Sequence, residues 1–351
     1  MKALRWYGRE DLRYEDVPEP SPGPGQVKLK VQRVGICGSD LHEYRSGPIY
    51  TSVEPHPVTS RMAPITLGHE FAGTVVETGG GVSSIKVGDR VTGEGPVPCG
   101  KCYYCMRNMP SLCLNVFYIG FHADGAMVEY AVLPESILHK LPDSFSDEIG
   151  ALVEPLAVGM HGVRRSRLQV GDTVAIVGAG VVGLGALLAA RAAGASKIFI
   201  VEISKRRGER ALAKGASVVF NPKECNAAEQ IRELTEGLGA DVSFDCVGLP
   251  VSGPLAVQLA RAAGTVVIIG MSPGPSPDFN FRNVMLGEKT ILGSNSYTRD
   301  DFSTVIELIT DGRIDPSGLV TAKVALKDAV ERGFKEVIDN PEKQLKILLQ
   351  P

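Results

Sequence analysis

The sequence predicts a two-part α/β protein: a β-rich domain followed by a doubly wound parallel sheet. Three observations predict it. Residues 1 to about 157 set short runs of alternating apolar and polar residues among many glycines and prolines. From about residue 160, β-rich runs alternate with helix-forming stretches. Between the first of those runs and the first helix stands a glycine-rich loop, "GAGVVG", at 178–183. A chain of 351 residues is also long for one core, so two domains are expected.

In chain order, "QVKLKVQ", "FAGTVVET" and "GDRVTGEG" alternate with period two and read as antiparallel strands. The second part offers six runs: "TVAIVGAG", "KIFIVE", "SVVF", "ADVSFDCVG", "TVVIIG" and "TILGS". Helices are predicted between them, at 181–193 and 252–262 among others. Alternation of this kind gives a parallel sheet covered on both faces, and six strands suit a nucleotide-binding domain. After about residue 294 the pattern is mixed again, and the last stretch is free to rejoin the first domain.

Charged residues make up 22% and hydrophobic ones 44%, with a net charge of −3, which places the chain with globular proteins and gives no electrostatic footprint for nucleic acid. The longest apolar stretch, "VVGLGALLAARAAGA", is interrupted by Arg191 and is short for a bilayer span. The opening "MKALRWYGREDLRYED" carries charges throughout and no apolar core, so neither a secretory signal nor a membrane partner is expected. A cytoplasmic protein is the expectation. In that compartment, clustered thiols point to metal or redox chemistry rather than disulfides.

The glycine loop fits G-x-G-x-x-G. Gly178 permits a tight turn, Gly180 lets backbone approach a pyrophosphate, and Gly183 lets helix pack on strand; Val181 and Val182 start the helix whose N-terminus faces the phosphates. Glu202 ends the next strand, where a carboxylate binds the adenosine ribose hydroxyls and repels a 2′-phosphate. Lys205, Arg206 and Arg207 follow and attract one. NAD is the expected cofactor, with Arg207 beside the adenosine ribose.

Cys99, Cys102, Cys105 and Cys113 lie in "CGKCYYCMRNMPSLC". Four thiolates close a tetrahedral shell around one zinc ion and leave no open position, as a structural site requires. An iron–sulfur cluster uses the same ligand number, and a redox C-x-x-C needs only two. A second constellation is spread out: Cys37 in "GICGSDLH", His69 and Glu70 in "LGHEFAG", Glu154 in "ALVEPLAVG". Alone, each reads as a packing or capping residue. Together, one sulfur, one nitrogen and one or two oxygens make a zinc site with room for water or substrate.

Over essentially its whole length the chain resembles the zinc-dependent medium-chain dehydrogenases. The motifs that carry the resemblance are "CGSDLH", "GHEFAG", "VGDRV", the four-cysteine stretch, "EPLAVGMHGV" and "GAGVVG". The resemblance implies a GroES-like catalytic domain, 1–157 completed by 294–351, and a Rossmann domain, 158–293. It implies two zinc ions per chain, one catalytic and one structural, and hydride transfer between a secondary alcohol and NAD where zinc meets nicotinamide. A homodimer or homotetramer is implied too. Glu154 stands where alcohol dehydrogenases of this family place a second cysteine, as in its polyol and diol branch; whether Glu154 or Glu70 binds zinc directly is left open. The resemblance also implies a proton relay from the alcohol through Ser39 and the nicotinamide ribose to His42; the alternatives are a helix cap at Ser39 and a merely exposed His42.

The proline-rich insertion "GPIYTSVEPHPVTSRMAPIT" resembles the 2,3-butanediol dehydrogenase branch. It implies a vicinal diol or hydroxyketone substrate, 2,3-butanediol and acetoin, with sorbitol or another polyol as the close alternative and threonine 3-dehydrogenation as a remoter one. A noncatalytic dinucleotide-binding relative and a zinc-free quinone reductase are the readings from other classes. His56, inside the insertion, carries no motif and is expected at the surface; Cys225 and Cys246 are expected to be packing residues.

Overall fold

The computed structural model describes residues 1–271, 274 and 279–351. By its internal contacts the chain divides into two compact units: residues 1–154, 298–306 and 316–351 in one, residues 155–297 and 307–315 in the other.

The first unit opens with β1 (Lys2–Gly8) and β2 (Asp11–Asp16), a hairpin joined by β4 (Ile65–Thr66) into a three-stranded sheet. Its main sheet is built on β3 (Gln26–Gly35), which pairs antiparallel with both β5 (Glu70–Thr78) and β9 (Tyr130–Pro134). β6 (Arg90–Gly93) and β10 (Leu138–Lys140) extend it on one side. On the other, β3 pairs with the C-terminal strand β18 (Lys346–Gln350), itself parallel to β17 (Val320–Ala325). Alternation along β3 turns Val27, Leu29 and Val31 into a core shared with Leu4, Trp6, Phe71 and Leu133. A short ladder of β7 (Pro96–Val97) and β8 (Phe117–Tyr118) closes the stretch that holds the four cysteines.

The second unit is a six-stranded, all-parallel sheet in the order β13-β12-β11-β14-β15-β16. Its strands are β11 (Thr173–Val177), β12 (Lys197–Val201), β13 (Val218–Phe220), β14 (Ala240–Asp245), β15 (Ala260–Ile268) and β16 (Thr290–Gly293). The order reverses beside β11, as in a doubly wound nucleotide-binding sheet, and the glycine loop follows that strand. Val174, Ala175 and Ile176 are fully buried, as a strand covered on both faces requires.

The helix expected over 252–262 is shorter, running Ser252–Leu259, and β15 begins at once. The Lys289 ammonium donates to the carbonyls of Val257 and Ala260 at 2.7 Å each, supplying from outside the donors that another helical turn would have provided.

Candidate metal and dinucleotide site

The first cluster is assembled by a helix start and a strand start. Cys37 is the N-cap of α1 (Gly38–Ser46), and the Asp40 carboxylate accepts the Cys37 N–H at 2.9 Å. Ser39 therefore lies in the first turn and is not the cap. Gly68, at φ 98°, makes the turn into β5; a side chain there would run into Met127 and Val34. That turn delivers His69 and Glu70 to Cys37, and the donor atoms of these three residues lie within 4.8 Å of one another. Glu154, buried in α2 (Asp147–Ser166), is outside that group of three, but its charge acts on both His69 and Lys346. Its place in the interior of α2 is not a helix cap.

Two residues absent from the sequence reading complete the surroundings. Asp40 is fully buried, its Oδ1 3.8 Å from His69 Nδ1, and neither of these two atoms has a hydrogen-bond partner among the described residues. Burial pushes the Asp40 carboxyl up to about 6 against the pull of His69. Burial also opposes charge on His69, but Asp40, Cys37 and Glu154 outweigh it and hold that imidazole well above its ordinary value. An imidazole that orients one ring nitrogen toward a buried carboxylate presents the other to a metal, the arrangement in which metal-ligating histidines are held. The Lys346 ammonium lies against Glu70, 2.7 and 2.6 Å from its two oxygens, and donates also to the Ile36 carbonyl at 2.9 Å. Soft sulfur, imidazole and carboxylate, gathered in an anionic, buried spot, fit a zinc ion.

Ser39 Oγ is 3.5 Å from His69 Nε2. His42 is exposed on α1; partial desolvation of its ring, with the nearby Arg45, holds its pKa below the ordinary histidine value. The Tyr50 phenol is pushed up to about 12 by burial and by the charges of Cys37 and Glu43. His56 departs from expectation: it is half-buried, its ring stacked on His122 at 4.3 Å.

Cys99, Cys102, Cys105 and Cys113 converge as a second cluster, all sulfurs within 4.8 Å. Cys102 and Cys105 sulfurs are 3.5 Å apart, near the spacing of about 3.8 Å set by tetrahedral zinc–sulfur bonds of about 2.3 Å. Backbone N–H groups aim at these sulfurs, from Cys99 to Cys113 Sγ at 3.2 Å and from Asn115 to Cys113 Sγ at 3.4 Å. The Cys105 amide is the chief cause that brings the Cys102 thiol down to about 6; burial, then Cys102 itself, pushes Cys105 up to about 12. Amides directed at sulfur favour thiolates, the form that binds metal.

In the second unit, Gly178 leaves β11 at φ 93°, and a side chain there would meet Val247 at 2.5 Å. Gly180 caps α3 (Val181–Ala192) and, among the described residues, has nothing within 4 Å of where a Cβ would stand, which leaves the helix start open to a pyrophosphate on the side they line. Val181 and Val182 form the first turn, and the Gly183 position leaves no room for a side chain against the Gly178 carbonyl. The Glu202 carboxylate is anchored twice, accepting from the Ala179 N–H at 2.7 Å and the Ser204 N–H at 2.8 Å. Arg207 lies in the first turn of α4 (Lys205–Ala213), its N–H donating to the Ser204 cap at 3.4 Å. Cys246 sits beneath the loop, 3.6 Å from where a Gly183 side chain would begin, and burial raises its thiol pKa.

Compared with known proteins, residues 23–143 match the alcohol dehydrogenase GroES-like domain and residues 181–311 match the zinc-binding dehydrogenase domain. Over 353 residues, covering 100% of both chains, the sequence is 41% identical to (R,R)-butanediol dehydrogenase of Bacillus subtilis (strain 168). It is 35% identical over 339 residues to sorbitol dehydrogenase of the same bacterium, covering 95% of this chain and 94% of the other. The crystal structure of 2R,3R-butanediol dehydrogenase from Bacillus subtilis aligns at TM-score 0.92 and 40% identity, over 100% of this chain and 99% of that one. Similarity that runs from end to end at this level, through both domain matches, is that of common descent, and the chain belongs to the zinc-dependent medium-chain dehydrogenase family.

Proposed function

We propose that the protein catalyses reversible, NAD-dependent oxidation of 2,3-butanediol to acetoin. One observation carries the reading: the sulfur, nitrogen and oxygen donors of Cys37, His69 and Glu70 converge within 4.8 Å, in a chain 41% identical end to end to a butanediol dehydrogenase. Cys37 and His69 hold a catalytic zinc, with Glu70 and Glu154 as its carboxylates; Cys99, Cys102, Cys105 and Cys113 hold a structural one. The GroES-like catalytic domain is 1–157 with 294–351, and the Rossmann domain is 158–293. Bound in these sites, zinc would acidify a substrate hydroxyl and NAD would supply the ring that accepts a hydride.

The chain's own residues supply the rest. Asp40 orients His69. Ser39 Oγ accepts the proton of the substrate hydroxyl as it gives its own onward in the relay, and His42, neutral near pH 7 because its pKa is held down, takes up the relayed proton and passes it to solvent. Gly178, Gly180, Val181, Val182 and Gly183 cradle the pyrophosphate; Glu202 accepts from the ribose hydroxyls beside Arg207, which favours NAD over NADP. A cytoplasmic homodimer or homotetramer is part of the reading.

A second substrate class, sorbitol or another polyol, is favoured by the 35% identity to a sorbitol dehydrogenase. Initial rates of NAD reduction by zinc-replete protein with (R,R)-, (S,S)- and meso-2,3-butanediol, sorbitol and threonine decide between them. Preference for one butanediol isomer is expected. Preference for sorbitol or threonine moves the substrate, and NAD binding without turnover makes the chain a noncatalytic relative.

A further inference from the structure

The proline-rich segment 47–66 is fastened to residues 117–125 by a set of polar contacts. Thr59 Oγ1 donates to the His122 carbonyl, Arg61 pairs with Asp124, and Asp124 accepts the Thr66 N–H at 3.0 Å. His122 is the centre of this set. Its Nδ1 accepts the Tyr118 N–H at 3.1 Å, so that nitrogen carries no proton; Nε2 then carries one and donates to the Tyr50 carbonyl at 3.0 Å. His56, stacked on it with rings 15° from parallel, uses its own Nδ1 to accept from Val58 and Thr59 N–H at 3.3 and 3.4 Å. The His122 ring thus makes both of its contacts only as a neutral imidazole. A proton on its Nδ1 would set donor against donor.

The fastened segment leads to the metal cluster. The Tyr50 ring packs on Phe121 at 5.0 Å, and Phe121 packs on His69 at 5.3 Å. We propose that His122 and His56 are positioning residues for the substrate side of the metal centre: stacked on each other they hold segment 47–66 in place, and through Tyr50 and Phe121 they set the wall beside His69, which loosens when His122 takes up a proton. This rests on the reading of Cys37 and His69 as the catalytic zinc site.

The other groups facing the pair are accounted for. Tyr118 meets the His122 ring edge-on at 6.0 Å, Tyr50 contributes its carbonyl, and Arg61 and Asp124 neutralise each other. Glu43 of α1 is turned to backbone, accepting from Ile49, Tyr50 and Thr51 N–H at 3.2, 2.8 and 3.3 Å. Burial, then His56, holds the His122 pKa below its ordinary value, in keeping with a neutral role. The sign follows. The released form protonates first, so the segment is held fully above about pH 6.5 and is lost progressively below it, by up to about tenfold per pH unit for one imidazole.

The test is amide hydrogen exchange of residues 47–66 in the zinc-loaded protein, corrected for intrinsic rates, at about pH 7.5 and about pH 5.5. His122→Gln offers an acceptor and a donor about as far apart as the two ring nitrogens and does not titrate. His56→Asn keeps an oxygen for the Val58 and Thr59 amides and serves as the second variant. Wild type should lose up to about tenfold in protection at the lower pH, His122→Gln should lose less, and His56→Asn, without the stacked ring, should be less protected at both pH values. In parallel, KM for 2,3-butanediol should rise in wild type relative to His122→Gln over the same range, with kcat changing alike in both. Equal pH dependence of protection in wild type and His122→Gln, or wild-type protection in His56→Asn, overturns the clasp. Loosening without a differential KM overturns its link to the substrate wall. Absence of butanediol turnover at every pH instead refutes the proposed substrate, and the exchange data still decide the clasp.

Discussion

Lys346 and Glu70 form an ion pair in which the ammonium reaches both carboxylate oxygens, at 2.7 and 2.6 Å, with side chains only 2% and 0% exposed. Two charges removed so fully from water depend on each other. Lys346→Met leaves the Glu70 charge buried without its cation and should cost about 3–5 kcal/mol. Urea unfolding checks it through the midpoint at unchanged slope. Adding Glu70→Gln should recover part of the loss, since the stranded charge is gone; a single variant as stable as wild type would show that the pair is dispensable.

Because the surrounding anions raise the His69 pKa, zinc must displace a proton to bind there. The affinity should therefore fall as pH is lowered, and binding should release protons near neutrality. Calorimetry of zinc-depleted protein in buffers of different ionisation enthalpy measures this directly; heats independent of buffer would contradict it. In the metal-free protein the sign is opposite: the raised pKa contributes stability that is complete below about pH 6.5 and disappears as pH rises through the folded-state value. Cys37→Ala and His69→Ala should abolish turnover while leaving NAD binding intact, because the glycine loop does not involve them.

At the four-cysteine cluster, Cys102→Ser should release about one zinc per chain and lower the thermal midpoint, because a closed structural site contributes folding energy through the metal. Metal content by atomic emission is the readout. Full zinc retention in this variant would remove Cys102 from the ligand set.

Glu202→Ala should weaken NAD relative to NADP by about tenfold or more, the value of a charge-assisted hydrogen bond. It also removes the acceptor for the Ala179 and Ser204 amides, so some loss common to both cofactors is expected. Fluorescence titration with each cofactor separates the two effects. An unchanged ratio would place Glu202 away from the ribose.

What the sequence disclosed was local. Cys37, His69 and Glu70 sit in short motifs, and the four cysteines fall within fifteen consecutive residues, 99–113, so their chemistry can be read before any folding. The parallel sheet was equally legible, since buried strands announce themselves as apolar runs. Asp40 escapes notice inside "CGSDLH" because an aspartate in a first helical turn reads as a partner of the cap, and here it does accept the Cys37 N–H, with its other oxygen toward His69. Lys346 was beyond reach: 276 residues separate it from Glu70, and "KQLKILL" reads as an ordinary strand with a lysine at its edge. His56 was misjudged for the same reason, its partner His122 lying in a different loop. The 252–262 helix was overdrawn because Lys289, which takes its last carbonyls, is supplied by another element.

The pairing of β18 with β3 has a consequence for biosynthesis. The parallel sheet uses one continuous stretch of chain, 173–293, and has all of its strands before the ribosome reaches β17. The main sheet of the first unit, started far earlier, waits for 346–350, and with them for the ammonium that neutralises Glu70. Order of synthesis and order of completion are thereby reversed. Until the final strand emerges, the nascent catalytic domain exposes the free edge of β3 and an acidic, thiol-bearing cluster with no cation of its own.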